Sequence, residues 1–301
     1  MISDTKRTFI PGDNWLYFKL YTGFKTADYI LTTVLPDIIS QLRAKQILDK
    51  WFYLRYSDPH NHLRIRFYIG DIQNISHAIL IFNQAIKPYV SNGLIWKVQI
   101  ETYNRELERY GMNTIVPTET MFYHDSEAII QILRVIEENS MDQQRWMIAF
   151  GMIDRLYVDF RLDTDKKLEM ASSQSKGYKA EFGFIQKTSK LQLDSKYRDN
   201  RRAVENILSK STDKATWILS AIEIINEKSN RLTPIVNDIL EKESQQTLEV
   251  SLEKILSSYI HMMINRLFRS KHRLYEMVIY DMLERYYISV KAKLKYNKVT
   301  H

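Results

Sequence analysis

Four side chains, His62, Arg64, Arg66 and Tyr68, alternate with Leu63, Ile65 and Phe67 in the stretch HLRIRFY. In an extended strand, side chains two apart share a face. The period therefore sets an imidazole, two guanidiniums and a phenol in one row, with the apolar side chains turned to a core. Arginine presents a planar fork of donors that matches a carboxylate or a phosphate. Such a row could grip an anionic group. The plainer alternative is a polar sheet face turned to solvent.

A second candidate lies far along the chain, in SLEKILSSYIHMMINRLF. A helical period gives it an apolar stripe of Leu252, Leu256, Tyr259, Met263 and Leu267. Ser257, Ser258, His261 and Asn265 fall on another face. His261 and Asn265 are one turn apart, and the small serines leave room in front of the imidazole. A helix can so show one titratable group to a pocket, with a polar neighbour to orient it. The plainer alternative is a hydrogen-bonded packing histidine. A third set is Arg105 and Arg109 in TYNRELERYG, spaced to share a helical face beside Glu106 and Glu108. A solvated, salt-bridged turn is the plainer account of it.

Other chemistries are excluded or unsupported. With no cysteine, disulfides, thiolate catalysis and cysteine-held metals are out. His60 and His62 sit in a turn, and no spaced carboxylate–His set completes a metal site. No phosphate-cradling glycine loop and no nucleophile elbow occurs. The net charge of +7 on 301 residues is modest. Basic segments at Arg269–Arg273 and Lys291–Lys298 could contact a polyanion, but charged helix ends usually face water. No apolar run reaches the roughly 18 residues of a membrane helix, and the start of the chain lacks a secretory apolar core. The expected location is the cytoplasm.

The elements that must position these residues are legible in outline. Trp51–Tyr56 and His62–Tyr68 read as strands joined by Ser57–Asn61, where Pro59 fixes φ. Ahead of them, residues 1–13 read as a loose lead-in and Trp15–Tyr21 as a strand. Thr26 can cap a helix from Ala27 to about Ala44, kinked or restarted at Pro36, with Tyr29, Ile30, Val34, Leu35, Ile38, Ile39 and Leu42 on its apolar face. Residues 72–89 carry a helical pattern. In Leu94–Tyr103, Trp96, Val98 and Ile100 share one face of a strand. A short helical turn then ends at Gly111.

The rest reads as helical. One helix opens at Asp125 or Ser126 and runs to Asn139. Ser140 and Gln143 form a capping box for another, reaching about Phe160. Ser172–Lys179 reads as a loop, and a helix lies near Arg202–Ser209 in a polar stretch from Lys187 to Lys214. Ala215–Glu227 is apolar on one side, Thr233-Pro234 starts a helix from Ile235 to Lys242, and two long helices close the chain. The expected class is α+β: a mixed or antiparallel sheet in the N-terminal third packed with a largely helical remainder. It is read as a single domain over 1–301, sheet-rich to 111 and helical from 112.

Together these stretches resemble a family. Trp51-Phe52-Tyr53-Leu54-Arg55-Tyr56-Ser57-Asp58-Pro59 followed by His62-Leu63-Arg64-Ile65-Arg66-Phe67 is similar to the signature of the C-terminal, glutamate-elimination domain of lantibiotic dehydratases. That domain also occurs alone, as the thiopeptide-type bacteriocin biosynthesis protein. Trp15–Tyr21, Glu101–Gly111 and His261–Arg266 agree, in the family's order. One departure is Met112, where the family often has a second glycine.

The resemblance implies a lyase of ribosomal peptide natural-product maturation. It would remove glutamate by β-elimination from glutamylated Ser or Thr of a precursor peptide, leaving dehydroalanine or dehydrobutyrine. No metal or organic cofactor is implied. The implied catalytic set is Arg64, Arg66, His261 and an arginine of the Glu-Arg-Tyr-Gly region, Arg105 in preference to Arg109. Arg109, His62, Tyr68, Asn265 and Arg266 are assigned to substrate binding. Implied partners are the precursor peptide with its leader and a separate tRNA-dependent glutamylating dehydratase subunit. Neither membrane nor direct nucleic-acid contact is expected, and a homodimer is allowed. Two alternatives stand: an aza-[4+2] cyclase that builds the thiopeptide pyridine core from two dehydroalanines, and a non-catalytic leader-peptide-binding module.

Overall fold

A computed structural model describes residues 5–184, 187–209 and 213–299, with the side chains of 187–190 and 297–299 outside the description. Residues 1–4 of the expected lead-in and the Lys298 side chain of the basic tail therefore lie outside the described residues. The remainder of the lead-in is ordered by pairing. Strand β1 (Thr8–Phe9) runs antiparallel to β6 (Tyr103–Asn104), and Phe9 stacks on Tyr103.

The alternation in the arginine-bearing stretch folds as a hairpin of β3 (Leu48–Tyr56) and β4 (His62–Ile69). Strand β2 (Trp15–Thr22) takes the other side of β4, and β5 (Ile95–Ile100) pairs with β2. The sheet order is β3-β4-β2-β5, antiparallel throughout. Phe18, Leu20, Trp51, Tyr53, Leu63, Ile65 and Phe67 are buried, and register places them on one face. Helix α3 (Ile75–Ser91) covers part of that face, with the Phe82 ring stacked 3.8 Å from that of Phe18. At the outer strand β5 the cover runs out: Val98 and Ile100, paired with Leu20 and Phe18, share that face as expected but are exposed, whereas a bulge between Ile95 and Lys97 takes the exposed Trp96 out of the expected alternation and toward Tyr21.

The helix expected to begin at Thr26 begins earlier. It is α1 (Phe24–Tyr29) capped by Gly23, then a π turn over Ile30–Val34, then α2 (Leu35–Ala44) with Pro36 in its first turn. Proline has no N–H to donate back, so the helix is locally widened before it resumes. Of the expected apolar face, Tyr29 is exposed and the other six are buried.

Helix α4 (Leu107–Tyr110) is the short turn that ends at Gly111, whose φ of 82° suits glycine. Helix α5 (Ile115–Glu138) starts well ahead of Asp125 and Ser126. Ser126 is mid-helix and returns its hydroxyl to the Phe122 carbonyl. Ser140 does not cap the next helix. It takes a positive φ after α5, and a 3-10 turn over Asp142–Gln144 opens α6 (Arg145–Asp159).

The expected loop at Ser172–Lys179 is part of α7 (Thr164–Glu181). Asp163 caps α7 by accepting from the Lys166 N–H at 2.8 Å, and only Met170, Ala171 and Ser175 are buried, a stripe too narrow to mark a helix. Then come α8 (Lys187–Leu208) and α9 (Thr216–Ser244). Thr233-Pro234 lies inside α9 and starts no new helix. The last two are α10 (Leu252–Leu267) and α11 (His272–Val299).

Two compact units result, one of residues 1–134 and 237–270, the other of 135–236 and 271–301. The first unit holds the sheet, α1 to α4, α10 and every candidate site residue. In the second, α7 lies along α11, with Lys179 paired to Asp281 at 2.6 Å. Among the described residues no helix is long and apolar enough to cross a membrane.

Candidate active site

The sheet face opposite the apolar one is lined by cations and aromatic rings. Register sets His62, Arg64, Arg66 and Tyr68 of β4 opposite Tyr56, Leu54, Phe52 and Lys50 of β3, and opposite Tyr21, Lys19, Tyr17 and Trp15 of β2. The two-residue period thus holds, but the face is not solvated. His62 and Arg66 are buried, and Arg64 and Tyr68 are half-buried.

Arg66 is 7% exposed, and its Nε and Nη1 are buried with no hydrogen-bond partner among the described residues. Its guanidinium carbon lies 4.3 Å from the Tyr17 ring centre, 4.6 Å from that of Tyr103 and 5.2 Å from that of Phe52. Ring faces offset the charge, each by about 0.5–2 kcal/mol. They do not take the in-plane N–H bonds. A fixed cation with two buried, unused donors calls for an acceptor from outside the protein, and a carboxylate or polarised carbonyl oxygen meets that need.

Arg64 is held from two sides. Its Nε donates to His62 Nε2 at 3.1 Å, and its guanidinium carbon lies 3.4 Å from the Tyr56 ring centre. Beside it, Lys19 pairs with Glu101 at 2.8 Å. That hydrogen bond from Lys19 is the main reason the Glu101 carboxyl sits below its usual range.

The two arginines of the ERYG region have different duties. Arg105 is buried and spends its fork on Glu119: Nε and Nη2 each lie 2.7 Å from a carboxylate oxygen, and Nη1 donates to the Lys6 carbonyl at 2.9 Å. The same buried Glu119 accepts from the Tyr103 hydroxyl at 3.1 Å and has Lys50 at 3.9 Å. Burial, with Glu119 next to it, pushes the Tyr103 phenol well up, so it stays a donor. Arg105 therefore braces the tyrosine that flanks Arg66. Arg109 has a side chain 34% exposed; it reaches Glu106 at 3.3 Å and donates from Nε to Ser258 Oγ at 3.1 Å.

Ser258, His261 and Asn265 follow one face of α10 at helical spacing. At one end Ser258 meets Arg109 of α4. At the other, Asn265 meets the edge of β3: its Oδ1 accepts from the Arg55 N–H at 2.9 Å and its Nδ2 donates to the Arg55 carbonyl at 2.8 Å. The half-buried His261 lies between these two contacts, on the side where α10 faces α4 and the sheet edge.

Asn265 thus replaces a missing neighbouring strand. Arg266 continues the task. It is fully buried, donates from Nε to the Tyr53 carbonyl at 2.9 Å and from Nη1 to Asp125 at 2.9 Å, while its own carbonyl accepts from Tyr53 Oη and Arg55 Nε. Tyr68 packs on Trp15 with Lys50 alongside. The structure therefore gathers His62, Arg64, Arg66 and Tyr68 in one row and sets Arg109 against the His261 helix. Arg105, Asn265 and Arg266 are occupied with protein partners.

Sequence reasoning does not find Tyr17, Tyr103, Glu119 or the Lys19–Glu101 pair. Tyr17 and Lys19 share the two-residue period of WLYFKLY, which was a usable signal once β2 is placed beside β4. Nothing in the helical run around Glu119 marks it.

A family model described as the lantibiotic biosynthesis dehydratase C-terminus matches residues 15–287. The nisin biosynthesis protein NisB of Lactococcus lactis subsp. lactis is 29% identical over 167 residues, covering 55% of this chain and 16% of that protein. Among solved structures, the tRNA-dependent lantibiotic dehydratase MibB from Microbispora sp. 107891 superposes with a TM-score of 0.70 at 19% identity, covering 98% of this chain and 29% of that one. The pyridine synthase TbtD from thiomuracin biosynthesis superposes with a TM-score of 0.59 at 14% identity, covering 91% of this chain and 99% of that one. The chain spans less than a third of NisB and MibB and nearly all of TbtD. At these identities the two structural likenesses speak to the fold alone.

Proposed function

The chain belongs to the family of lantibiotic biosynthesis dehydratase C-terminal domains, and we propose that it acts there as a glutamate-elimination lyase. Its substrate is a precursor peptide whose Ser or Thr side chains carry a glutamyl ester, supplied by a separate tRNA-dependent glutamylating subunit. Its product is dehydroalanine or dehydrobutyrine plus free glutamate. The observation that carries this reading is Arg66, a buried cation whose Nε and Nη1 await an acceptor.

The reaction needs what this face offers. A proton leaves Cα, its electron pair becomes the Cα–Cβ double bond, and the Cβ–O bond breaks to release a carboxylate. Negative charge grows on the adjoining peptide carbonyl and on the departing glutamate. Guanidiniums already fixed in place stabilise that charge without reorganising, and most strongly where water is excluded. Arg66 and Arg64 supply donors from the sheet. Arg109 supplies them from α4, in the role first assigned to Arg105, whose fork Glu119 already fills. His261, on the side of α10 that faces α4 and the sheet edge, serves as the proton-transfer group, either as base at Cα or as acid toward the leaving group.

One observation favours a second reading. The chain matches the full length of a pyridine synthase, and an aza-[4+2] cyclase would also need donors aimed at a peptide carbonyl. Separate incubations distinguish them by mass spectrometry. With glutamylated peptide, the lyase releases one glutamic acid per modified site. Ring closure with loss of the leader from a fully dehydrated peptide, and no glutamate release, would replace the lyase by the cyclase. Binding to leader with no turnover of either substrate would leave a docking module.

A further inference from the structure

The His62 ring is buried between two tyrosines, its centre 4.8 Å from that of Tyr21 and 5.6 Å from that of Tyr56. Its Nδ1 lies 2.8 Å from the His60 carbonyl, which can only accept. Its Nε2 lies 3.1 Å from Arg64 Nε, which can only donate. These two contacts specify one state: a neutral imidazole with its proton on Nδ1 and its lone pair on Nε2. Arg64 in turn is fixed by this bond and by the Tyr56 face. The outer ends of its guanidinium carry no hydrogen bond among the described residues.

We infer that His62 does not touch substrate but positions Arg64, and that it releases Arg64 when protonated. The inference rests on the lyase reading for what Arg64 does, though not for the contact itself. A proton added at Nε2 removes the acceptor and sets an N–H against an N–H. It also sets two cations side by side at hydrogen-bond distance.

The groups around the ring decide when this happens. Arg64 on the same strand and Lys19 on β2 oppose protonation; Asp58 in the turn and the His60 carbonyl favour it. The Tyr21 and Tyr56 rings flank the imidazole, and Lys97 of β5 lies 5.2 Å from the Tyr21 ring centre. Burial, the largest influence, opposes protonation too and holds the imidazole below its ordinary range. Arg64 is therefore locked at neutral pH and set loose in acid.

The contact is read without substrate by nitrogen-15 NMR of the imidazoles. The expected result is an Nδ1–H tautomer for His62 with a titration midpoint below about 6.5, moving upward in Arg64→Met. An Nε2–H tautomer, or a midpoint at or above about 6.5, overturns the inference whatever the protein's activity. Kinetics on glutamylated peptide then read the positioning. His62→Ala is expected to lose up to roughly 100-fold in kcat/KM at pH 7.5. His62→Gln, whose amide oxygen can accept from Arg64, recovers part of that loss. The ratio of His62→Gln to wild-type activity rises as pH falls from 7.5 to 5.5. A ratio flat across that range, or a glutamine variant no better than the alanine one, overturns the positioning role. Absence of glutamate release by the wild-type protein overturns the lyase reading instead and leaves the NMR result to judge the contact.

Discussion

Arg109 Nε donates to Ser258 Oγ at 3.1 Å, and this bond ties the short helix α4 to the helix that carries His261. Ser258 precedes His261 by one helical turn, so the bond holds Arg109 against the same side of α10 that carries the imidazole. Arg109→Ala should therefore act on turnover and spare stability. We expect a loss of about 100- to 1,000-fold in glutamate elimination, the usual effect of removing one preorganised donor. The melting temperature should change little, because the side chain is a third exposed and its ion pair with Glu106 is a surface one. Activity within a few-fold of wild type would remove Arg109 from the site.

Arg105 should behave in the opposite way. Its substitution leaves the Glu119 carboxylate buried at 0% exposure without its main counter-ion. Arg105→Met is expected to cost about 3–5 kcal/mol of stability, the range for breaking a buried pair from one side. Replacing both partners, as in Arg105→Met with Glu119→Leu, should restore only part of it: the buried carboxylate is gone, but Lys50 and the Tyr103 hydroxyl then lose their shared acceptor. Denaturant unfolding of wild type and the two variants measures this. A single variant as stable as wild type would show that Glu119 has other support.

Removing the central groups should stop the reaction after the ester is made. With the glutamylating partner present, Arg66→Ala and His261→Ala should accumulate glutamylated peptide, with turnover down by at least about 100-fold. Arg66→Lys should rescue poorly, because a lysine is a point charge and cannot reproduce the two unused N–H vectors. Fully dehydrated peptide from both alanine variants would mean the chemistry lies elsewhere.

The arginine row was legible because a strand of known period prints its two faces directly: Leu63, Ile65 and Phe67 are core, and His62, Arg64 and Arg66 share the other side. What the row packs against was not legible. Register between β2 and β4 puts Tyr17 over Arg66, and no local pattern encodes register. Arg105 and Arg109 look alike in sequence, and only Glu119, brought in by α5, tells them apart. Asn265 and Arg266 belong to the matched His-Met helix for a reason the string hides: they satisfy the backbone of an edge strand. Helix α7 was missed, and only the end of α8 near Arg202–Ser209 was read, because each buries so narrow a stripe that composition reads as loop.

Stability should depend on pH through His62. Its imidazole lies below the ordinary range, first because it is buried and then because Arg64 and Lys19 oppose the proton that the His60 carbonyl favours. The unfolded chain thus takes up the proton more readily than the folded one. The contribution is fully present above about 6.5 and is lost as pH falls through the depressed folded value. Melting curves at pH 7.5 and 5.5 should show the gap between wild type and His62→Gln moving in the variant's favour in acid. A gap that is constant, or that moves the other way, contradicts the assigned state of the ring.

Asn265 offers a test of how the His261 helix is held against the sheet. Its amide makes two bonds to the Arg55 backbone, one accepted and one donated, as a neighbouring strand would. Both backbone groups are buried, and an orphaned one costs about 1–3 kcal/mol. Asn265→Leu should therefore destabilise by roughly 2–5 kcal/mol and loosen His261, lowering kcat more than it raises KM. Asn265→Asp separates the two bonds. Its carboxylate still accepts from the Arg55 N–H but faces the Arg55 carbonyl with no donor, which raises its folded pKa above the unfolded value of about 3.9. Protonation restores the donor. The stability it confers is then present below about 3.9 and lost as pH rises through the raised folded value. Relative to wild type, Asn265→Asp should be weaker at pH 7 and should close part of the gap at pH 4.5. An equal deficit at both values would mean that the carbonyl bond contributes nothing to docking the helix.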